Sequence, residues 1–249
     1  MKMLSLFSGI GGIDMAAQWA GIETVAFCEI DPFCQKVLKK HWPDVPIFGD
    51  IRTMTKEVLD YAGITGIDIV AGGFPCQPYS EAGKQRGAAD DRHLWPEMLR
   101  IVSEIRPPWV VGENVAGFVT MGIDDAFADL ESLDYAAESF LIPAYGVDDD
   151  HERYRVYFMA NTDAQQLLQE NKKVVPDGII GKTWYSNTGS CWRSPPKINR
   201  SICKPEFLGV VDGFPDRVDR ARAIGNAVDP RQIYPIFAAI AAIEEAGHE

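Results

Sequence analysis

Cysteine and histidine are scarce in this 249-residue chain, at five and four residues. Cys28, Cys34, Cys76, Cys191 and Cys203 are odd in number and scattered. They form no C-x-x-C pair and have no histidine nearby at ligand spacing, which excludes a disulfide framework and structural zinc from the expected fold. Cys28 and Cys34 sit beside apolar residues and are expected to behave as small core side chains. Long apolar runs are missing too. None approaches the roughly 18 residues that cross a bilayer, and the opening MKMLSLFSGIGG carries no signal-peptide cleavage pattern. A soluble, intracellular protein is expected. Positive charge is short as well: the formal net charge is −12, the reverse of the basic footprint that polyphosphate binding leaves. The deficit is uneven. Between Asn161 and Leu208, seven basic residues (Lys172, Lys173, Lys182, Arg193, Lys197, Arg200, Lys204) outnumber four acidic ones (Asp163, Glu170, Asp177, Glu206), so this stretch carries +3 and the remainder −15. If the chain binds nucleic acid, this segment should face it.

What is present suffices for one substantial core, with 46% hydrophobic residues. Residues 3–7 (MLSLF) read as an apolar strand, followed by a glycine turn and then Ile13, Ala16, Ala17 and Ala20 at helical spacing. A second unit has a strand at 24–30 and a helix from the N-cap Asp31 and Pro32 to about Lys40. Strands at 67–73 and 109–114 follow, each preceded by a helical pattern, then a helix at 122–133 and strands at 135–142 and 153–160. Near-continuous apolar strands alternating with helices predict an α/β fold whose mostly parallel sheet is covered on both faces. Over 161–208 the pattern dissolves into Gly, Pro, Asn, Ser and Trp, which predicts a small irregular lobe between a main domain at 1–160 and its continuation at 209–249. Arg231 to Ala246 reads as a closing helix.

Several residues fall where such folds bind ligands, outside the carboxyl ends of the strands. Phe7-Ser8-Gly9-Ile10-Gly11-Gly12 follows the first strand, as a ligand-cradling turn or simply as a strand-to-helix link. Glu29 ends the second strand, about 20 residues on, where a carboxylate suits ribose hydroxyls. Asp50 follows a third strand and suits an exocyclic amine. Taken in order, these acids describe a nucleoside pocket; taken singly, they are solvated surface groups. Cys76 lies between Pro75 and Pro78 beyond the strand at 67–73. Flanking prolines fit a packed strand poorly and favour a rigid loop that presents the thiol to the crevice, rather than an inert core cysteine. Glu113 ends an apolar strand, an expensive place for an acid unless it is hydrogen-bonded or functional. Arg153 and Arg155 alternate along ERYRVYFMA, so both fall on one face, either to fix a carbonyl or phosphate or to pair with Asp148 to Asp150.

Together these residues resemble the cytosine-5 DNA methyltransferases of bacteria and phages. The resemblance rests on Phe-Ser-Gly-x-Gly-Gly at 7–12, Glu29, Asp50-Ile51, Gly-Phe-Pro-Cys-Gln-Pro at 73–78, Glu113-Asn114-Val115, Arg-x-Arg at 153–155 and Gly225-Asn226-Ala227-Val228. The order is the family's and the span is almost the whole chain. It implies a Rossmann-like S-adenosylmethionine-dependent fold with a target-recognition lobe at 161–208, and transfer of methyl to carbon 5 of a cytosine flipped out of double-stranded DNA. It also implies Cys76 as the nucleophile at carbon 6, Glu113 bonding N3, and Arg153 and Arg155 orienting base and thiolate. Cofactor contacts fall to Phe7, Ile10, Gly12, Glu29, Ile30, Asp50, Ile51, Pro75, Leu94 and Asn226, with no metal and S-adenosylhomocysteine as product. The loop at about 80–92 corresponds to one that closes over DNA. A cytoplasmic monomer in a prokaryotic cell or phage-infected host is expected, with a partner chain for target recognition left open.

The sequence departs from the family at three places. His151 stands where glutamine is frequent, Ala227 where serine is frequent, and the recognition region is short. Trp184, Tyr185, Trp192 and Arg193 suit base or backbone contacts there, or the packing of a small lobe. A transfer-RNA methyltransferase sharing these motifs is the nearest rival, though the Cys-Phe-Thr tripeptide typical of that group is missing. A binding-only relative is the other.

Overall fold

A computed structural model of the chain describes residues 1–75, 94–147, 153–162 and 217–247. Seven strands form one sheet: β1 (Lys2–Leu6), β2 (Glu23–Cys28), β3 (Ile47–Phe48), β4 (Ile69–Gly72), β5 (Trp109–Val115), β6 (Ala136–Pro143) and β7 (Tyr154–Asn161), in the order β3-β2-β1-β4-β5-β7-β6. β1 to β5 run parallel, and β7 inserts antiparallel between β5 and β6. The mostly parallel α/β sheet expected from the sequence is the one observed. The chain first steps outward from β1 to β2 and β3, then returns to lay β4 on the other side of β1. That reversal opens a crevice between the carboxyl ends of β1 and β4, the usual place for a ligand in an open α/β sheet.

Alternate residues of the strands feed two cores. Leu4, Leu6, Val70 and Val110 pack with α3 (Lys56–Tyr61), α4 (Trp95–Ile105) and α6 (Ile123–Glu131). Met3, Ile69, Ala71, Trp109 and Val111 pack with α1 (Gly12–Trp19) and the C-terminal α8 (Pro230–Gly247). Burial on both faces explains why the strands read as apolar runs and not as alternating ones. The Trp19 and Tyr234 rings meet edge to face at 6.1 Å, and Trp109 Nε1 donates to Glu244 Oε1 at 2.8 Å, so α8 is tied both to α1 and to the sheet. α2 (Pro32–His41) is capped by Asp31, whose Oδ1 accepts from Phe33 N at 2.8 Å. Cys28 and Cys34 are buried, as small core side chains would be.

The helix expected at 122–133 is α6, and a four-residue helix that the pattern did not suggest, α5 (Phe118–Met121), precedes it. Phe118 is drawn under the sheet against Phe74, with ring centroids 5.3 Å apart, so helix begins earlier than the pattern suggested. Gly122 then divides the two, its N–H donating to Phe118 O and its carbonyl accepting from Ala126 N.

One buried acid has no counterpart in the sequence reading. Asp14 of α1 has no exposed surface and accepts from Ser5 Oγ at 3.1 Å and Thr24 Oγ1 at 3.0 Å. Burial pushes its carboxyl up to about 6, against the opposing pull of those hydroxyls. Among the described residues no helix is long and apolar enough to cross a membrane.

Candidate active site

The turn after β1 works through unusual backbone. Phe7, Gly9 and Gly11 all have φ between 53° and 88°; glycine takes this left-handed region freely, whereas Phe7 stores strain there. The turn aims the Gly9 N–H at Glu29 Oε2, at 2.7 Å, while Asp31 N donates to Glu29 Oε1 at the same distance. Glu29 is therefore held at both oxygens before any ligand arrives. Gly12 serves a packing purpose, since a Cβ there would lie 2.1 Å from Val228 O. Beyond β3, Asp50 caps a short 3-10 turn (Ile51–Thr53), accepting from Arg52 N at 3.0 Å.

Phe7, Gly9, Glu29, Asp31 and Asp50 line a cleft of about 460 Å³, a volume usual for small-molecule sites. Its floor and walls include Phe7, Glu29, Ile30, Asp50, Ile51, Pro75, Leu94, Asn226, Glu113, Arg153 and Arg155. The structure thus brings eleven of the fourteen residues singled out in the sequence to one cavity. Gly12 and Ile10 do not line it; Gly12 instead lets the segment before α8 approach. Cys76 lies outside the described residues, as do the loop at about 80–92, most of 161–208 and Asp148 to Asp150. Pro75, the residue before Cys76, is on the cleft wall, and Asn114 Nδ2 donates to Phe74 O at 3.3 Å beside it.

Glu113 is buried where β5 meets the cleft. Its Oε1 pairs with Arg155 Nε at 3.0 Å. Burial raises its carboxyl above the ordinary range, while Arg155 and then Arg153 pull it back down. The carboxyl therefore sits between two tendencies, neutral for want of water and charged for its neighbours. Gly73 leaves it room, for a Cβ on that residue would stand 2.8 Å from Glu113 Oε2. Arg153 is anchored differently: its Nη2 donates to Ala227 O at 2.6 Å. Burial, followed by repulsion from Arg155, lowers its pKa.

Sequence reasoning missed other cleft residues. Arg222 of α7 (Arg217–Asn226) bonds Asp31 Oδ2 at 2.6 Å and closes the cleft over α2. Only the N-cap role of Asp31 was visible in the sequence. Gly73 was read as part of a motif without a reason for its size. No group of three or more His, Cys, Asp or Glu suited to a metal occurs among the described residues.

Comparison with known proteins gives a consistent result. The family model described as C-5 cytosine-specific DNA methylase matches residues 1–188. The chain is 34% identical over 243 residues to Type II methyltransferase M.NgoFVII of Neisseria gonorrhoeae, covering 95% of this chain and 63% of the relative. It is 42% identical over 123 residues to Type II methyltransferase M.AquIA of a Picosynechococcus strain, covering 47% and 50%. The chain spans about half the length of the curated relatives it matches. Among solved structures, the S. pombe Dnmt2 methyltransferase superposes with a TM-score of 0.63 over 99% of both chains at 15% identity, a likeness of fold alone.

Proposed function

Because the chain belongs to the C-5 cytosine-specific DNA methylases, we propose that it methylates carbon 5 of cytosine in double-stranded DNA with S-adenosylmethionine as donor. The observation that carries this reading is a single cleft lined by Glu29 and Asp50 beyond β2 and β3 and by Glu113, paired with Arg155, and Arg153 at the ends of β5 and β7. The first set suits a nucleoside, the second a base with a ring nitrogen to be protonated.

The residues fit an adenosine-bearing cofactor. Glu29 keeps lone pairs for ribose hydroxyls after accepting from Gly9 and Asp31. Asp50 suits an exocyclic amine. Ile30 is apolar yet 66% exposed on the cleft wall, a platform for a flat ring. When bound, the cofactor supplies an electrophilic methyl group.

The chain's own residues do the rest. The target cytosine leaves the stack, where its ring faces are hidden. The Cys76 thiolate attacks carbon 6, and Glu113, whose carboxyl burial pushes toward the neutral form, shares a proton with N3. The electrons of the 5,6 double bond move to carbon 5, which becomes the nucleophile toward the methyl group. Loss of the carbon 5 proton then re-forms the double bond and expels the thiolate. A thiolate suits both steps because it attacks near neutral pH and leaves again. Arg155 fixes the Glu113 carboxyl, and Arg153 adds positive charge that favours the thiolate. Residues 161–208, with their net +3, are assigned to target recognition.

The test is transfer of labelled methyl from S-adenosylmethionine to unmethylated duplex DNA, with transfer RNA in parallel and Cys76→Ala as control. Label on DNA cytosine that vanishes in the variant is the expected result. Label on RNA alone overturns the substrate, and no transfer despite cofactor binding overturns the activity.

A further inference from the structure

Gln232, in the first turn of α8, is a polar side chain with no exposed surface. Its Nε2 donates to Ile142 O at 2.7 Å and Arg153 O at 2.9 Å. The first carbonyl lies near the end of β6 and the second leads into β7, so one amide staples two neighbouring strands to a helix. Its Oε1 is buried with no hydrogen-bond partner. An unpaired buried oxygen costs stability, and an apolar side chain of the same length would spare that cost only by taking this donor from the Ile142 and Arg153 carbonyls.

Arg153 is what the amide holds. Its carbonyl takes two donors, Gln232 Nε2 and Ala144 N, the latter at 3.0 Å. Its guanidinium donates to Ala227 O, five residues before Gln232. The segment from Ala227 to Gln232 therefore grips Arg153 at both main chain and side chain. The same segment is wedged between the glycine turn and β4: Val228 O abuts Gly12, and Val228 Cγ2 stands 3.6 Å from where a Gly73 Cβ would be. Such confinement leaves it little freedom to follow if Arg153 moves.

We propose that Gln232 is a positioning residue that fixes Arg153, and through it the cationic wall beside Glu113, by stapling β6 and β7 to the closing helix. Its activity readout rests on the methyl transfer proposed above; its structural readout does not. In Gln232→Met the donor is lost and the length kept. kcat for transfer to duplex DNA should fall on the order of tenfold to a hundredfold, the scale of a displaced catalytic group, while the Kd for S-adenosylhomocysteine is unchanged. Combined with Arg153→Lys, the loss should be much less than the product of the two single losses. Gln232→Asn, whose amide falls one carbon short, provides a milder variant with the same expectation. The Arg153 Nε–Hε resonance, observed by 15N NMR, should be sharp in the wild type and broadened or shifted in either variant. A variant that only lowers the melting temperature, leaving kcat and the resonance as in the wild type, overturns the proposal. So do losses that multiply fully with Arg153→Lys. A wild type that transfers no methyl group bears on the function above, and the resonance then decides this inference by itself.

Discussion

Replacing Asp14 with asparagine removes one titrating group from the buried interface of α1 and the sheet while keeping its outline. In the folded chain the Asp14 carboxyl is pushed from an ordinary 3.8 up to about 6, chiefly by burial. Between about pH 4 and pH 6 the folded state therefore keeps a proton that the unfolded state has released. Stability must fall as pH rises through that window, and below it the group contributes nothing either way. Some two pH units at about 1.4 kcal/mol each amount to about 3 kcal/mol at neutral pH, with about half already lost at pH 5. Asparagine cannot ionise, and the Ser5 and Thr24 hydroxyls can each turn to donate to its oxygen or accept from its nitrogen. The variant should thus be the more stable protein at pH 8, by up to about 3 kcal/mol, with the advantage shrinking by roughly half at pH 5. Urea midpoints followed by circular dichroism at pH 5, 6, 7 and 8 measure the difference. A difference that stays constant across this range would mean that Asp14 ionises as it does in the unfolded chain, and the reasoning from burial fails.

Other outcomes follow from the cleft. Gly73→Ala places a methyl 2.8 Å from Glu113 Oε2; the carboxyl must yield by roughly half an ångström, and methyl transfer should slow about tenfold with cofactor binding intact. Steady-state kinetics beside calorimetry with S-adenosylhomocysteine checks this, and unchanged kcat would show that the carboxyl tolerates the shift. Glu29→Gln turns an amide toward Gly9 N or Asp31 N in place of an acceptor, so cofactor Kd should rise on the order of tenfold to a hundredfold, measurable by the same titration. Removing the Arg155 cation with Arg155→Leu lets burial raise Glu113 further, since Arg155 lowers that carboxyl and Arg153 only partly replaces it. With Glu113 acting as the acid, the alkaline limb of kcat against pH should move upward while the rate itself falls. A limb that does not move would assign it to another group.

Much of this site could be read from the chain because strand ends announce themselves. An apolar run that stops at an acid or a glycine, repeated in order, gave Phe7, Glu29, Asp50 and Glu113 before any geometry, and residue parity placed Arg153 and Arg155 on one side of β7. What parity could not say is which acid they meet. Arg155 pairs with Glu113 because β7 inserts between β5 and β6, a pairing between distant segments that leaves no local pattern. Asp14 was hidden for a related reason: an acid in the first turn of a helix looks like a favourable charge near the dipole, and only Ser5 and Thr24, brought in from two strands, reveal that it is enclosed. Gln232 looks like any polar position of a helix until its burial is known.

The contact between α1 and α8 joins the earliest and among the latest residues of the described chain, and this sets a timetable for synthesis. As a chain leaves the ribosome from its N-terminus, β1 and α1 emerge with Met3, Ile13, Ala16 and Ala17 uncovered. Their cover, Ile233, Phe237 and Ile240, is made more than two hundred residues later. Until then the nascent protein carries an open apolar face, and the Val228 carbonyl that seats on Gly12 does not yet exist. A nascent chain stopped before about residue 228 should therefore hold chaperones and bind no cofactor, because the segment that seats on Gly12 has not been made.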